Sequence, residues 1–140
     1  MNETVHACCV AIGGRGVLIA GASGRGKSDL ALRLIDRGAL LVSDDYTMLR
    51  ADSGRLFGSA PAAIAGQLEV RGVGLVEMRP VPEAPLCLVA DLDAEAERLP
   101  ERRSLSFLGQ AIPLVAIAPL EASAPIKLEL ALDRYGLPAP

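Results

Sequence analysis

Gly21-Ala22-Ser23-Gly24-Arg25-Gly26-Lys27-Ser28 is the stretch on which the reading of this chain turns. It satisfies G-x-x-x-x-G-K-[ST] at every position, the pattern of a phosphate-binding loop. Each residue type has a physical task. The glycines let the backbone turn tightly and approach a phosphate closely. Successive N–H groups then converge into an anion nest, and the helix that follows turns the positive end of its dipole to the same place. Lys27 supplies a point charge for the β and γ phosphates. Ser28 offers a hydroxyl oxygen to Mg2+, a hard cation that prefers oxygen ligands. The ligand this implies is ATP or a close relative of it.

The context on both sides agrees. Upstream, Val17-Leu18-Ile19-Ala20 is a short apolar run of the kind that forms a buried strand, and before it Val5 to Ile12 predicts a strand closed by a turn at Gly13-Gly14. Downstream, Ser28 to Arg37 predicts a helix, because Leu30 and Leu34, with Ala31 and Ile35, recur at four-residue spacing on one face. Gly38 is its natural stop, and Ala39 to Ser43 is the next buried strand, running into Asp44-Asp45. Strand, glycine loop, helix, strand and acidic pair make an α/β, P-loop nucleotide-binding core. An acid at the end of a neighbouring strand can hold Mg2+ or its water. Two adjacent acids on an extended chain point to opposite sides, so one can face the metal and the other a substrate hydroxyl as general base.

Beyond the acids the signals are weaker. Tyr46 to Arg50 and Leu56 to Gly58 predict a hairpin about the turn Asp52-Ser53-Gly54-Arg55, and Pro61 to Gln67 a short helix. Gly72 and Gly74 make Leu68 to Val76 a loop or a bulged strand. Within it Glu69 and Arg71 can line a pocket wall or form a surface ion pair. Met78 to Pro85 is a linker, Leu86 to Ala90 a strand, Ala94 to Arg103 a loop, and Leu105 to Leu108 and Ile112 to Ala118 are strands. Ile126 to Asp133 suits a strand or a closing helix, and Gly136 to Pro140 a loose tail.

Composition sets outer bounds. The length of 140 residues suits one domain, about half the residues are apolar, and with aromatics at 3% the core must be aliphatic. A net charge of -3 argues against a nucleic-acid partner. Cys8, Cys9 and Cys87 are an odd number without a C-x-x-C pair, which predicts buried thiols in a reducing compartment, and a lone histidine, His6, disfavours a metal site built on imidazoles. No apolar run is long enough to span a membrane and no basic leader opens the chain, so a cytoplasmic protein without a membrane partner is expected.

Taken together, His6 before the first strand, the glycine loop, Arg37-Gly38 leading through Leu41-Val42 to Asp44-Asp45, and Leu68-Glu69-Val70-Arg71-Gly72-Val73-Gly74 form an ordered set. In this set the chain resembles the C-terminal catalytic domain of bacterial HPr kinase/phosphorylase, in its short single-domain form. The resemblance runs from His6 to about Glu77 and thins after Met78. It implies a mixed, largely antiparallel sheet related to that of phosphoenolpyruvate carboxykinase, and a single kinase domain over residues 1–140 without the N-terminal regulatory domain of longer relatives. The implied activity is Mg2+-dependent transfer from ATP, or pyrophosphate, to a serine of the phosphocarrier protein HPr of the phosphotransferase system. Residues 21–28 would carry the nucleotide, Ser28 and Glu69 the metal. One of Asp44 and Asp45, Asp45 by preference, would take the serine proton. His6 would lie near the reacting phosphate, and Arg98 matches an active-site arginine. Members are often hexamers, so a homo-oligomer is expected.

The sequence departs from the family pattern in places. Gly21-Ala22-Ser23-Gly24 stands where Gly-Asp-Ser-Gly is common, and Arg37-Gly38-Ala39 where Arg-Gly-His is common. Residues 116–125 contain no Arg or Lys, whereas longer relatives carry a basic loop tied to dephosphorylation. Weak or missing phosphorolysis follows as an expectation. A different class of function, a nucleotide-sensing module that binds ATP and a protein partner without phosphorylating it, also suits a chain this short, as does a small-molecule kinase.

Overall fold

Strict alternation along the apolar runs explains how the central strands are buried on both faces. In β2 (Ala7–Ile12), Cys8 and Val10 point to one side of the sheet and Cys9 and Ala11 to the other. In β3 (Arg15–Ala20), Val17 and Ile19 oppose Leu18 in the same way. The computed structural model describes residues 2–140 and consists of a curled, mixed sheet with two helices packed on one face.

The remaining strands are β1 (Asn2–Val5), β4 (Leu40–Ser43), β5 (Thr47–Asp52), β6 (Arg55–Ser59), β7 (Gln67–Val70), β8 (Gly74–Glu77), β9 (Ala84–Asp91), β10 (Arg103–Phe107) and β11 (Gln110–Ala116), and the helices are α1 (Lys27–Asp36) and α2 (Ala124–Tyr135). The main path runs β1-β5-β6-β9-β3-β2-β4, with β11 on β9 and β10 on β11. Among the strand pairs of the described residues, β3–β9 and β11–β9 are parallel and the others antiparallel, so the sheet is mixed and mainly antiparallel. Leu30 and Leu34 of α1 and Leu128 and Leu132 of α2 cover one face against Val17, Ile19, Leu88 and Ala90. On the other face the sheet curls over, and Leu49 of β5 and Leu56 of β6 meet Leu18, Leu86 and Val89. Each fully buried leucine contributes about 1.5–3 kcal/mol through its removal from water.

Several local expectations are corrected. The strand expected over Val5 to Ile12 is broken at His6: β1 pairs with β5, whereas β2 pairs with β3 and β4, and the chain bends between them. Leu68 to Val76 is neither a loop nor a bulged strand but the regular hairpin β7–β8, with Glu69 opposite Leu75. Its glycines serve the turn, where Gly72 has φ +85°, a conformation a side chain would strain. Pro61 to Gln67 keeps only a 3-10 turn over Ala62–Ile64. For Ile126 to Asp133, of the two alternatives, strand or closing helix, the helix forms, started after Ser123 with Pro125 in its first turn. The tail is not loose through Pro138: Leu137 N–H donates to Cys87 C=O at 2.9 Å and Arg55 donates to Pro138 C=O at 2.9 Å.

Candidate functional site

The glycine loop leaves β3 at Ala20 and enters α1 at Lys27, so it sits at the C-terminal end of a central strand and the N-terminal end of a helix. Gly26, the residue before α1, has φ +94°, a left-handed turn that a Cβ would oppose. The loop is already held in shape. Arg25 N–H donates to Ala22 C=O at 3.1 Å, and Leu30 N–H to Gly26 C=O at 2.9 Å. Lys27, 6% exposed, folds over the loop and donates through Nζ to the carbonyls of Gly21 at 2.7 Å and Ala22 at 3.3 Å. The N–H groups of Gly24, Gly26, Lys27 and Ser28 donate to no protein acceptor among the described residues. Four such donors at a helix start are what an anion of the size of a phosphate would engage.

β4 brings the acidic pair to the other side of Ser28. Asp44 is buried, and both of its oxygens are used. Oδ1 accepts from the Ser28 hydroxyl at 2.7 Å and from the Cys8 thiol at 3.2 Å, and Oδ2 accepts from Glu69 N–H at 2.9 Å. Asp45 turns away, in the left-handed region at φ 65°. Its N–H donates to Cys8 Sγ at 3.3 Å, and its exposed carboxylate pairs with His6 Nε2 at 2.8 Å. Tyr46 stacks at a tilt on the His6 ring, with centroids 5.1 Å apart. The adjacent acids thus part as a turn after a strand requires: one faces the loop, the other solvent.

Of the expected site residues, His6, Ser28, Asp44 and Asp45 are brought together, with Lys27 next to Ser28 at the start of the same helix. Glu69 joins them through its backbone; its side chain is exposed, and among the described residues it forms no ion pair with Arg71. Arg98 is exposed in the segment that follows β9 and makes no hydrogen bond or ion pair among the described residues, so the structure does not bring it into contact with the others. No group of three or more His, Cys, Asp or Glu residues poised to hold a metal occurs among the described residues.

Two residues near the site escaped the sequence reading in this role. Cys8 and Cys9 were both expected to pack in the core, and both do, but Cys8 is also the residue that both acids touch. Burial, with the negative charge of Asp44 adding to it, pushes its thiol up to about 12, so it is a neutral S–H donor and not a thiolate. The available signal was alternation, which puts Cys8 on the α1 face of β2. Asp93 accepts from Ala22 N–H at 2.9 Å and pairs with Arg25 at 3.0 Å. Its only signal was an acid just past a buried strand, and nothing local says that this strand lies beside β3. A groove of about 200 Å3 between β10, β11 and the end of α2, lined in part by Pro113, Leu114 and Tyr135, contains none of the site residues.

Comparison with known proteins bears on this arrangement. HPr kinase/phosphorylase of Clostridium botulinum is 46% identical over 74 residues, 53% of this chain and 24% of that protein. The Geobacillus thermodenitrificans enzyme of the same name is 43% identical over 100 residues, 66% of this chain and 32% of that protein. The matched part of the chain therefore spans about a quarter to a third of the length of these curated relatives. Among solved structures, the HPr(Ser) kinase/phosphatase from Coxiella burnetii superposes with a TM-score of 0.83 at 28% identity, over 94% of this chain and 95% of that one. The family model described as HPr Serine kinase C-terminal domain matches residues 1–81, which hold His6, the glycine loop, both acids and Glu69. With more than half of its length matched in this way and the same fold over nearly all of it, the chain belongs to the HPr serine kinase C-terminal domain family.

Proposed function

We propose that this chain is a phosphoryl-transfer unit that moves the γ-phosphoryl group of ATP, with Mg2+, to a serine hydroxyl of an HPr-like phosphocarrier protein. The observation that carries this reading is the split of the acidic pair. Asp44 is committed to Ser28 at the end of the glycine loop, while Asp45 faces solvent with His6 as the one partner of its carboxylate among the described residues. An acceptor hydroxyl arriving from solvent can reach the exposed Asp45 carboxylate, which can take its proton as the serine oxygen attacks the γ-phosphorus and ADP leaves. The proton returns by the same route in reverse. The free N–H groups of the loop and the Lys27 ammonium would hold the phosphates and offset charge that builds on them, which is the main protein contribution in such reactions.

On donor chemistry the residues fit Mg2+. Asp44 accepts from both the Ser28 hydroxyl and the Glu69 N–H, which leaves the Ser28 oxygen and the Asp44 carboxylate together at the helix end of the glycine loop and brings the Glu69 backbone beside them. A site with few carboxylates suits an ion that keeps several waters and takes the rest of its shell from phosphate. When bound, the ion would neutralise charge on the transferring group. Ser28 and Glu69 would hold it, with Asp44 orienting the Ser28 hydroxyl. Arg98 can contribute only if its segment closes over the acceptor.

Residues 116–125, which run from the end of β11 into the first turn of α2, carry no Lys or Arg to attract inorganic phosphate, so the phosphorolytic reaction is weak or absent. A cytoplasmic homo-oligomer without nucleic-acid or membrane partners completes the proposal. No helix among the described residues is long and apolar enough to cross a membrane.

The test is transfer from γ-labelled ATP and Mg2+ to purified HPr of the source organism, beside an HPr whose regulatory serine is replaced by alanine. Label on the first protein alone is the expected result. ATP binding without label on either would move the reading to a nucleotide-sensing module, and label on a metabolite to a small-molecule kinase. Pyrophosphate release from phosphorylated HPr at rates like the forward reaction would overturn the claim about phosphorolysis.

A further inference from the structure

The glycine loop is gripped from outside by a group that the proposed chemistry does not use. β9 runs parallel to β3, in register from Val17↔Leu88 to Ala20↔Asp91, and Leu92 N–H continues the ladder to Ala20 C=O at 2.8 Å. The residue after Leu92 therefore emerges beside the first residues of the loop. There Asp93 Oδ2 accepts from Ala22 N–H at 2.9 Å, while Oδ1 pairs with Arg25 Nε at 3.0 Å. Arg25, at the crest of the loop, donates a further bond to Leu92 C=O at 3.1 Å. Asp93 is itself set by Asp91, whose Oδ1 accepts from the N–H groups of Asp93 at 2.9 Å and Ala94 at 3.3 Å. Gly21 fits the arrangement because a Cβ there would come within 3.1 Å of Leu92 Cβ.

The contacts tie both limbs of the loop, Ala22 near its base and Arg25 at its crest, to a strand end that belongs to the rigid sheet. They also hold the Arg25 guanidinium on Asp93 and the Leu92 carbonyl, while the N–H groups of Gly24, Gly26, Lys27 and Ser28 have no protein acceptor among the described residues. We infer that Asp93 and Arg25 form a positioning strap: Asp93 holds the loop in the phosphate-binding shape before the nucleotide arrives and so sets nucleotide affinity. Without the strap the loop must order as the ligand binds, and the entropy of that ordering is lost from affinity. The inference rests on the nucleotide-binding reading of residues 21–28 but not on the identity of the phosphoryl acceptor.

The experiment is a double-mutant cycle on the Kd for MgATP, measured by calorimetry on the full chain, with the melting midpoint of each variant. Asp93→Ala should weaken binding about tenfold, the loss of a charge-assisted bond to a backbone donor and of an exposed ion pair together. Arg25→Ala should weaken it about threefold, and the double variant no more than Asp93→Ala alone, because both act through one strap. Asp93→Asn, close in shape and still able to accept from Ala22 N–H, keeps the fold and should fall between wild type and Asp93→Ala. Losses that multiply in the double variant, or Kd values within twofold of wild type for both Asp93 variants, would overturn the strap. A midpoint that drops in parallel with no change in Kd would do the same, since it would make Asp93 a purely structural residue. Wild-type protein that binds no nucleotide would instead bring down the reading of the loop, and the strap with it.

Discussion

β4 and β9 both leave the core through acidic residues, Asp44-Asp45 on one and Asp91 with Asp93 on the other, and both ends reach the glycine loop from different sides. The resemblance stops there. Asp44 is 7% exposed and bonds to a thiol, a hydroxyl and a backbone N–H, so its charge is committed inside the protein. The Asp93 side chain is 49% exposed and its cation partner is as open as it is. An ion pair in that setting is screened and worth little to stability, so what Asp93 can change is the shape of a loop and not the existence of the fold. Acids of the same type, one residue or so past a buried strand, differ because one strand end is capped by the β7–β8 hairpin and the other opens to solvent.

The sharpest break in this comparison would come from the acid that belongs to neither kind. Asp45→Asn should lower phosphoryl transfer by about 10^2–10^4-fold, the usual span for a general base, with the MgATP Kd within about threefold of wild type. If Asp44→Asn shows the transfer-specific loss instead, the roles of the two acids are reversed. Lys27→Ala should weaken MgATP binding about a hundredfold through lost charge-assisted bonds; retained affinity would remove the loop from the nucleotide site. In urea unfolding, Asp44→Ala should cost about 2 kcal/mol by stranding its donors, whereas Asp93→Ala should cost under about 1 kcal/mol. Equal costs would mean that burial does not separate the two strand ends.

A smaller effect concerns the thiols. Cys8, Cys9 and Cys87 are all buried, and burial holds each thiol above its ordinary value. At pH 8 the native protein should label with none of its three cysteines in the time that urea-unfolded protein labels all of them. Rapid native labelling of Cys8 would show that β2 opens beneath the acids. The smallest effect lies far from the site, where Arg50 holds the Glu83 carboxyl below its usual range. A depressed carboxyl stabilises the fold above its unfolded value and loses that contribution as pH falls through the folded one. Glu83→Gln should therefore lower the melting midpoint slightly at pH 7 and by progressively less as pH falls below the usual carboxylate range; a shift that does not shrink with falling pH would point to packing and not charge.

Legibility in the sequence followed the range of the interaction. The loop, the helix after it, the two-sided burial of β2 and β3 and the acids after β4 all rest on contacts within a few residues: a glycine that must turn left-handed, a period of four, a period of two. Those constraints are written into neighbouring residues, so Gly21 to Ser28 and Asp44-Asp45 could be picked out directly, and the mixed sheet came with the family resemblance. Other features rest on pairs far apart in the chain. Nothing local says that β9 lies parallel to β3, which sets Asp93 against Ala22, or that Glu69 N–H turns Asp44 toward Ser28 and leaves Asp45 to His6. Nor do Gly136 to Pro138 announce that Cys87 and Arg55 will hold them. By itself the sequence marked out the glycine loop and the acidic pair as candidates, because backbone sterics and side-chain period act locally. Only the tertiary structure decided which acid faces the loop and what holds the loop still, because those choices depend on strands brought together by burial of both faces of one sheet.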